Sequence, residues 1–94
     1  MFYVYLLRST SDDGFYIGYS TNLRARLGAH NSGNSSATAH RGPWKLIYYE
    51  AYPDQADALG REEYLKSGAG RNFLKAQLRH YLAGHPIQKS APPR

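Results

Sequence analysis

The feature that most constrains this chain lies at its start. Phe2-Tyr3-Val4-Tyr5-Leu6-Leu7 is apolar on both alternating sets of positions, Phe2, Val4 and Leu6 on one and Tyr3, Tyr5 and Leu7 on the other. A strand of that kind needs cover on both faces, so it belongs in the middle of a sheet and the rest of the chain must supply two packing layers. Ninety-four residues provide for one such core and no second one. There is no cysteine, so no disulfide or thiolate metal site helps to hold it.

The remaining elements follow in order. Ser9 to Gly14 is polar and ends on the turn pair Asp13-Gly14, and Phe15 to Tyr19 resumes an apolar run, which predicts a hairpin. Ser20 or Thr21 is expected to cap a helix from about Asn22 to His30, with Leu23, Arg26, Leu27 and His30 on one face. The Ser-, Gly- and Asn-rich stretch from 31 to 42 reads as a flexible loop of the kind that covers a ligand. Trp44 to Tyr52 is a third strand, ended by Pro53, and Asp54 caps a helix from about Gln55 to Ser67. Ala58, Leu59, Glu62 and Leu65 fall on its inward face. Gly68-Ala69-Gly70 reads as a break before a last helix, about Arg71 to Ala83, with a stripe of Leu74, Leu78, Tyr81 and Leu82. The order ββαβαα predicts an α+β domain with a small, three-stranded, mostly antiparallel sheet and flanking helices.

Charge and composition narrow the function. Twelve Lys and Arg against seven Asp and Glu leave a net charge of +5, and eight of the twelve are Arg, whose planar fork suits phosphate. A polyanionic partner is favoured over a merely basic surface, and nine tyrosines add phenol hydroxyls and stacking faces. No apolar run approaches the roughly 18 residues that span a bilayer, and the N-terminus lacks the basic leader of a signal peptide. The expected address is cytoplasmic, with no membrane partner. No GxSxG, Walker or GxGxxG motif is present.

Chemistry is therefore left to phenol, guanidinium, imidazole and carboxylate. Tyr5 and Tyr16 on neighbouring strands, Arg26 and His30 on the first helix, and Glu62 on the second are out of place in a plain core. Each has an ordinary explanation. Strand tyrosines fill cores with the hydroxyl at the edge, Arg26 and His30 can form a wet helix shoulder, and an inward Glu62 can pair with Arg26. Together they favour a site, because polar groups from four elements converge on one sheet.

In their order and spacing these residues resemble the GIY-YIG nuclease superfamily. The resemblance rests on Tyr3-Val4-Tyr5, Tyr16-Ile17-Gly18, Asn22-Leu23 with Arg26 and His30, and Glu62-x-x-Leu65-Lys66. The stretches Trp44 to Ala51 and Tyr64 to Gly68 are similar to the small single-domain bacterial branch related to the nuclease module of UvrC. The resemblance implies a nuclease domain over 1–83, with 84–94, too poor in apolar residues to pack, as a disordered tail. It implies that Tyr5, Tyr16, Arg26, His30 and Glu62 are catalytic, with Glu62 holding Mg²⁺ or Mn²⁺. Two positions depart from the pattern. Tyr3 replaces the first glycine, and Tyr19 stands where the UvrC branch has a lysine.

The implied activity is metal-dependent hydrolysis of DNA phosphodiester bonds in repair or recombination. Tyr5 is the first choice for the base, with Tyr16 and His30 as rivals, and Arg26 holds the phosphate. Arg24, Arg41, Lys66, Arg71 and Lys75 are candidates to track the DNA backbone, and Trp44 or exposed tyrosines to stack on an unpaired base. The competing reading is a silent nucleic-acid-binding or partner-recruiting module, and a nuclease that relies on a protein partner for targeting is also compatible with so small a chain.

Overall fold

The computed structural model describes residues 1–86. Strands β1 (Phe2–Ser9), β2 (Phe15–Ser20) and β3 (Trp44–Tyr52) form one antiparallel sheet in the order β2-β1-β3. The strand with apolar residues on both sets is the central one, as its pattern requires. Helices α1 (Leu23–Asn31), α2 (Gln55–Lys66), α3 (Gly68–Gln77) and α4 (Arg79–Gly84) complete the α+β arrangement.

The two faces of β1 carry two separate packing layers. Val4 and Leu6 join Ile17 of β2 with Ala58, Leu65 and Leu74, so α2 and α3 cover that face. Tyr5 and Leu7 join Trp44 on the other, where Leu23 and Leu27 of α1 pack with Tyr16 and Leu46. The pleat enforces the division, since neighbouring residues of a strand point to opposite sides. Within the α2 layer lies a polar cluster that periodicity does not reveal. Arg61 donates to both Glu50 oxygens at 2.8 and 2.9 Å, the Tyr52 hydroxyl donates to the same carboxylate at 2.6 Å, and Tyr48 joins them. Arg61 also lies over the Phe73 ring at 4.6 Å, tying β3, α2 and α3 together.

Several local expectations change. Asn22 is the α1 cap itself, its Oδ1 accepting from the Ala25 N–H at 3.1 Å, while Ser20 bonds the Asn22 backbone. Gly68-Ala69-Gly70 opens α3 instead of breaking the chain, because Ser67 caps it by accepting from the Gly70 N–H at 3.1 Å. Gly70 is needed for close approach, since a Cβ there would sit 2.5 Å from the Leu65 Cα. The last expected helix is two, parted at Leu78. Leu59, placed inward by sequence, is exposed. Of the expected tail, Gly84 closes α4 and the His85 carbonyl accepts from Arg8 Nη1 at 2.6 Å, whereas 87–94 lie outside the described residues.

Candidate functional site

The site is assembled on the α1 side of the sheet. In the β1–β2 register Tyr5 faces Gly18 and Leu7 faces Tyr16, so both tyrosines project from the same face on adjacent strands. A Cβ on Gly18 would collide with the Tyr5 phenol, so this glycine leaves the space into which the Tyr5 ring leans. His30, near the end of α1, completes a ring cluster, with its centroid 4.9 Å from Tyr16 and 5.8 Å from Tyr5.

A chain of buried hydrogen bonds runs through that cluster. The Tyr5 hydroxyl and His30 Nε2 are 2.8 Å apart, and His30 Nδ1 and Thr38 Oγ1 are 2.7 Å apart. The Thr38 hydroxyl proton is directed at the Ser35 carbonyl, so Thr38 accepts from an Nδ1–H and leaves Nε2 to accept from Tyr5. Burial lowers the pKa of His30 below its ordinary 6.5, and the charge of Arg26 adds to the effect, which agrees with a neutral ring. Burial raises the Tyr5 phenol above the ordinary 10.0, and Tyr16 and Glu62 push the same way, while the neighbouring Arg26 pulls against them. Arg26, Tyr16 and Glu62 thus lie within electrostatic range of Tyr5, while the direct contacts join Tyr5, Tyr16 and His30.

Their exposures are unequal. Tyr5 is 2% exposed and His30 1%, whereas Tyr16 is half-buried; a groove of about 810 Å³ borders β2 on the opposite, α2–α3 face, with Leu6, Ile17, Leu74 and Leu78 in its walls. The Tyr16 hydroxyl carries no hydrogen bond among the described residues. The first choice of Tyr5 as base meets an obstacle here, because its hydroxyl is sealed from water and already committed to His30. Glu62 does not pair with Arg26, but with Lys66 one turn on, at 3.1 Å.

The expected DNA contacts divide as well. Trp44 is 3% exposed and donates from Nε1 to the Thr38 carbonyl at 3.2 Å, so its ring is not available to a base and that expectation is corrected. Arg41 is held by Asp12 at 3.0 Å and lies over Trp44. Arg24, Arg71 and Lys75 are exposed and without an ion pair among the described residues. Lys66, Arg71 and Lys75, with Arg79, line the groove of the α2–α3 face around Leu74 and Leu78.

The loop expected to be a flexible cover is anchored instead. Thr38 is fully buried and Ser35 nearly so, and the Asn31 side chain grips both backbone groups of Trp44. Thr38 is the residue sequence reasoning missed. A lone threonine in a Ser- and Asn-rich loop carries no signal until the fold places it under His30.

Metal ligation has one candidate here. Among the described residues no three His, Asp or Glu side chains cluster as a metal cage. Glu62, with its side chain 20% exposed and Lys66 its one ion-pair partner among the described residues, fits a hard cation that keeps most of its waters and takes one carboxylate and substrate oxygens.

This sheet, with paired tyrosines on adjacent strands and an Arg–His helix across them, defines the class. The chain belongs to the GIY-YIG catalytic domain family, a nuclease superfamily, which its residues 1–75 match. Its relatives include UPF0213 proteins. One from Clostridium perfringens is 42% identical over 67 residues, covering 70% of this chain and 71% of the relative. One from Pediococcus acidilactici is 36% identical over 77 residues, covering 79% and 78%. The NMR structure of a UPF0213 protein from Bacillus halodurans aligns with a TM-score of 0.51 at 32% identity, over 82% of this chain and 85% of that one. Among the described residues no helix is long and apolar enough to cross a membrane.

Proposed function

We propose that the protein is a metal-dependent DNA endonuclease that hydrolyses a phosphodiester bond by direct attack of water, in DNA repair or recombination. The observation that carries this reading is the pairing of a half-buried phenol with no hydrogen-bond partner among the described residues, Tyr16, with a buried Tyr5–His30–Thr38 chain on which the charge of Arg26 acts.

Tyr16 is the group that meets water. Its hydroxyl has no hydrogen bond among the described residues, and its ring packs on the Tyr5–His30 face, so it is the phenol of the pair left free to take a proton from water. Arg26 holds the scissile phosphate with its fork and offsets the negative charge that grows on the phosphoryl oxygens. Tyr5 and His30 act behind these two. Thr38 fixes the imidazole tautomer, and His30 holds the Tyr5 hydroxyl and packs against the Tyr16 ring. Glu62 would hold Mg²⁺ or Mn²⁺, which when bound would supply charge stabilisation at the phosphodiester.

The test is incubation of the protein with single-stranded, duplex, flapped and branched DNA, with Mg²⁺ or Mn²⁺ and with EDTA. Cleavage that stops in EDTA is expected, and Arg26→Ala and Glu62→Ala should each lower it by a factor on the order of 10² while remaining folded. Salt-sensitive binding with no cleavage of any substrate would leave a silent binding module in its place.

A further inference from the structure

The catalytic-side face of the sheet carries two aromatic rings that the proposed chemistry does not use. Tyr49 is 53% exposed, and Tyr3 meets it edge-on, their centroids 6.1 Å apart. In the β1–β3 register Tyr49 lies directly opposite Tyr5, and Tyr3 lies two positions along β1, so all three share one face. The helix on that face packs with Tyr5, Leu7, Trp44 and Leu46 and leaves the Tyr3–Tyr49 end bare. The residues opposite Tyr3 are Ser20 and Ala51, too small to shield its ring. Neither hydroxyl has a hydrogen bond among the described residues, so no polar partner accounts for two tyrosines there.

We infer that Tyr49, braced by Tyr3, is a stacking subsite for one nucleobase of the substrate strand, close to the cut. This rests on the nuclease reading of the same face. An exposed phenol ring offers any base a flat partner without reading its identity, and an edge-on second ring keeps the first from swinging away. Spacing fits as well. The Tyr5 phenol leans over Gly18 on β2, and Tyr49 stands on β3 two strand spacings away, about 10 Å, which a strand crosses in about one or two nucleotides. A base on Tyr49 would therefore hold the phosphate chain in register with Arg26 and Tyr16.

The test uses the full chain and one oligodeoxynucleotide whose cut site has been mapped. Bases near the cut are replaced singly by abasic residues, and a parallel oligonucleotide carries 2-aminopurine at the same positions for fluorescence in EDTA. One abasic position should lower wild-type cleavage about tenfold, the loss expected for one stacked base. Tyr49→Leu should lower cleavage of the intact strand equally and be insensitive to that abasic residue, while Tyr49→Phe restores both. 2-Aminopurine at that position should be quenched by the wild type and by Tyr49→Phe, but not by Tyr49→Leu. A flat abasic scan, wild-type cleavage by a folded Tyr49→Leu, or a change in oligomeric state on that substitution would overturn the subsite, the last by marking a self-interface. If the wild type cuts nothing, the nuclease reading falls, and the quenching alone then decides whether a base stacks on Tyr49.

Discussion

At the scale of single residues, the site depends on which hydroxyl is free. Tyr16 is half-buried with no hydrogen bond to its hydroxyl among the described residues and Tyr5 is sealed against His30, so Phe substitutions, which keep ring volume, should separate the two. Tyr16→Phe should lose cleavage on the order of 10²-fold, and Tyr5→Phe about tenfold, through a His30 less well held against Tyr16. Single-turnover rates on one substrate would show it, and the opposite order would return the base to Tyr5. Thr38→Val should cost about 1 to 3 kcal/mol, because it strands a buried Nδ1–H on His30. His30 also sets an acid limit. Its folded pKa is lowered, so the unfolded chain binds more protons as pH falls through 6.5, and this contribution to stability declines below that value.

At the scale of elements, the joints between helices and sheet are the sensitive points. Gly70 starts α3 against the backbone of α2, where a methyl group would press on the Tyr64 carbonyl and sit 2.5 Å from the Leu65 Cα. Neither neighbour is a flexible side-chain end, so Gly70→Ala should destabilise by about 1 to 3 kcal/mol, seen as a lower melting temperature. The Glu50 cluster joins β3 to α2. Burial alone would raise this carboxyl, but Arg61 and the Tyr48 and Tyr52 hydroxyls hold it down to about 2 against an ordinary 4.5. A folded pKa below the unfolded one gives stability that is present above 4.5 and lost as pH falls toward about 2. The loss is at most about 3 kcal/mol, and denaturation of Glu50→Gln should lack that part of the acid dependence.

At the scale of the whole molecule, the basic residues act as a field. Arg24, Arg71, Lys75 and their neighbours carry no motif for base edges, so DNA affinity should fall with salt and depend little on sequence. The log–log slope should be about −3 to −5, for roughly four or five phosphate contacts, measured by fluorescence anisotropy in EDTA. A slope near zero would remove the backbone-tracking role.

The sequence by itself determined the central place of β1, the α+β class, the caps at Asp54 and near Asn22, and the spacing of Tyr5, Tyr16, Arg26, His30 and Glu62. These are local properties. Alternation, helical period and capping chemistry act over a few residues, and the chain writes them directly. Three-dimensional packing decided the rest, because exposure and partnership depend on which element covers which face. It buried Trp44 under a loop that looked free, joined Thr38 to His30, and gave Glu62 to Lys66 instead of Arg26. It also closed Tyr5 off while leaving Tyr16 half-buried. No period or spacing distinguishes those two phenols, since both face the same side of the sheet and only the covering α1 and the gap at Gly18 make them different.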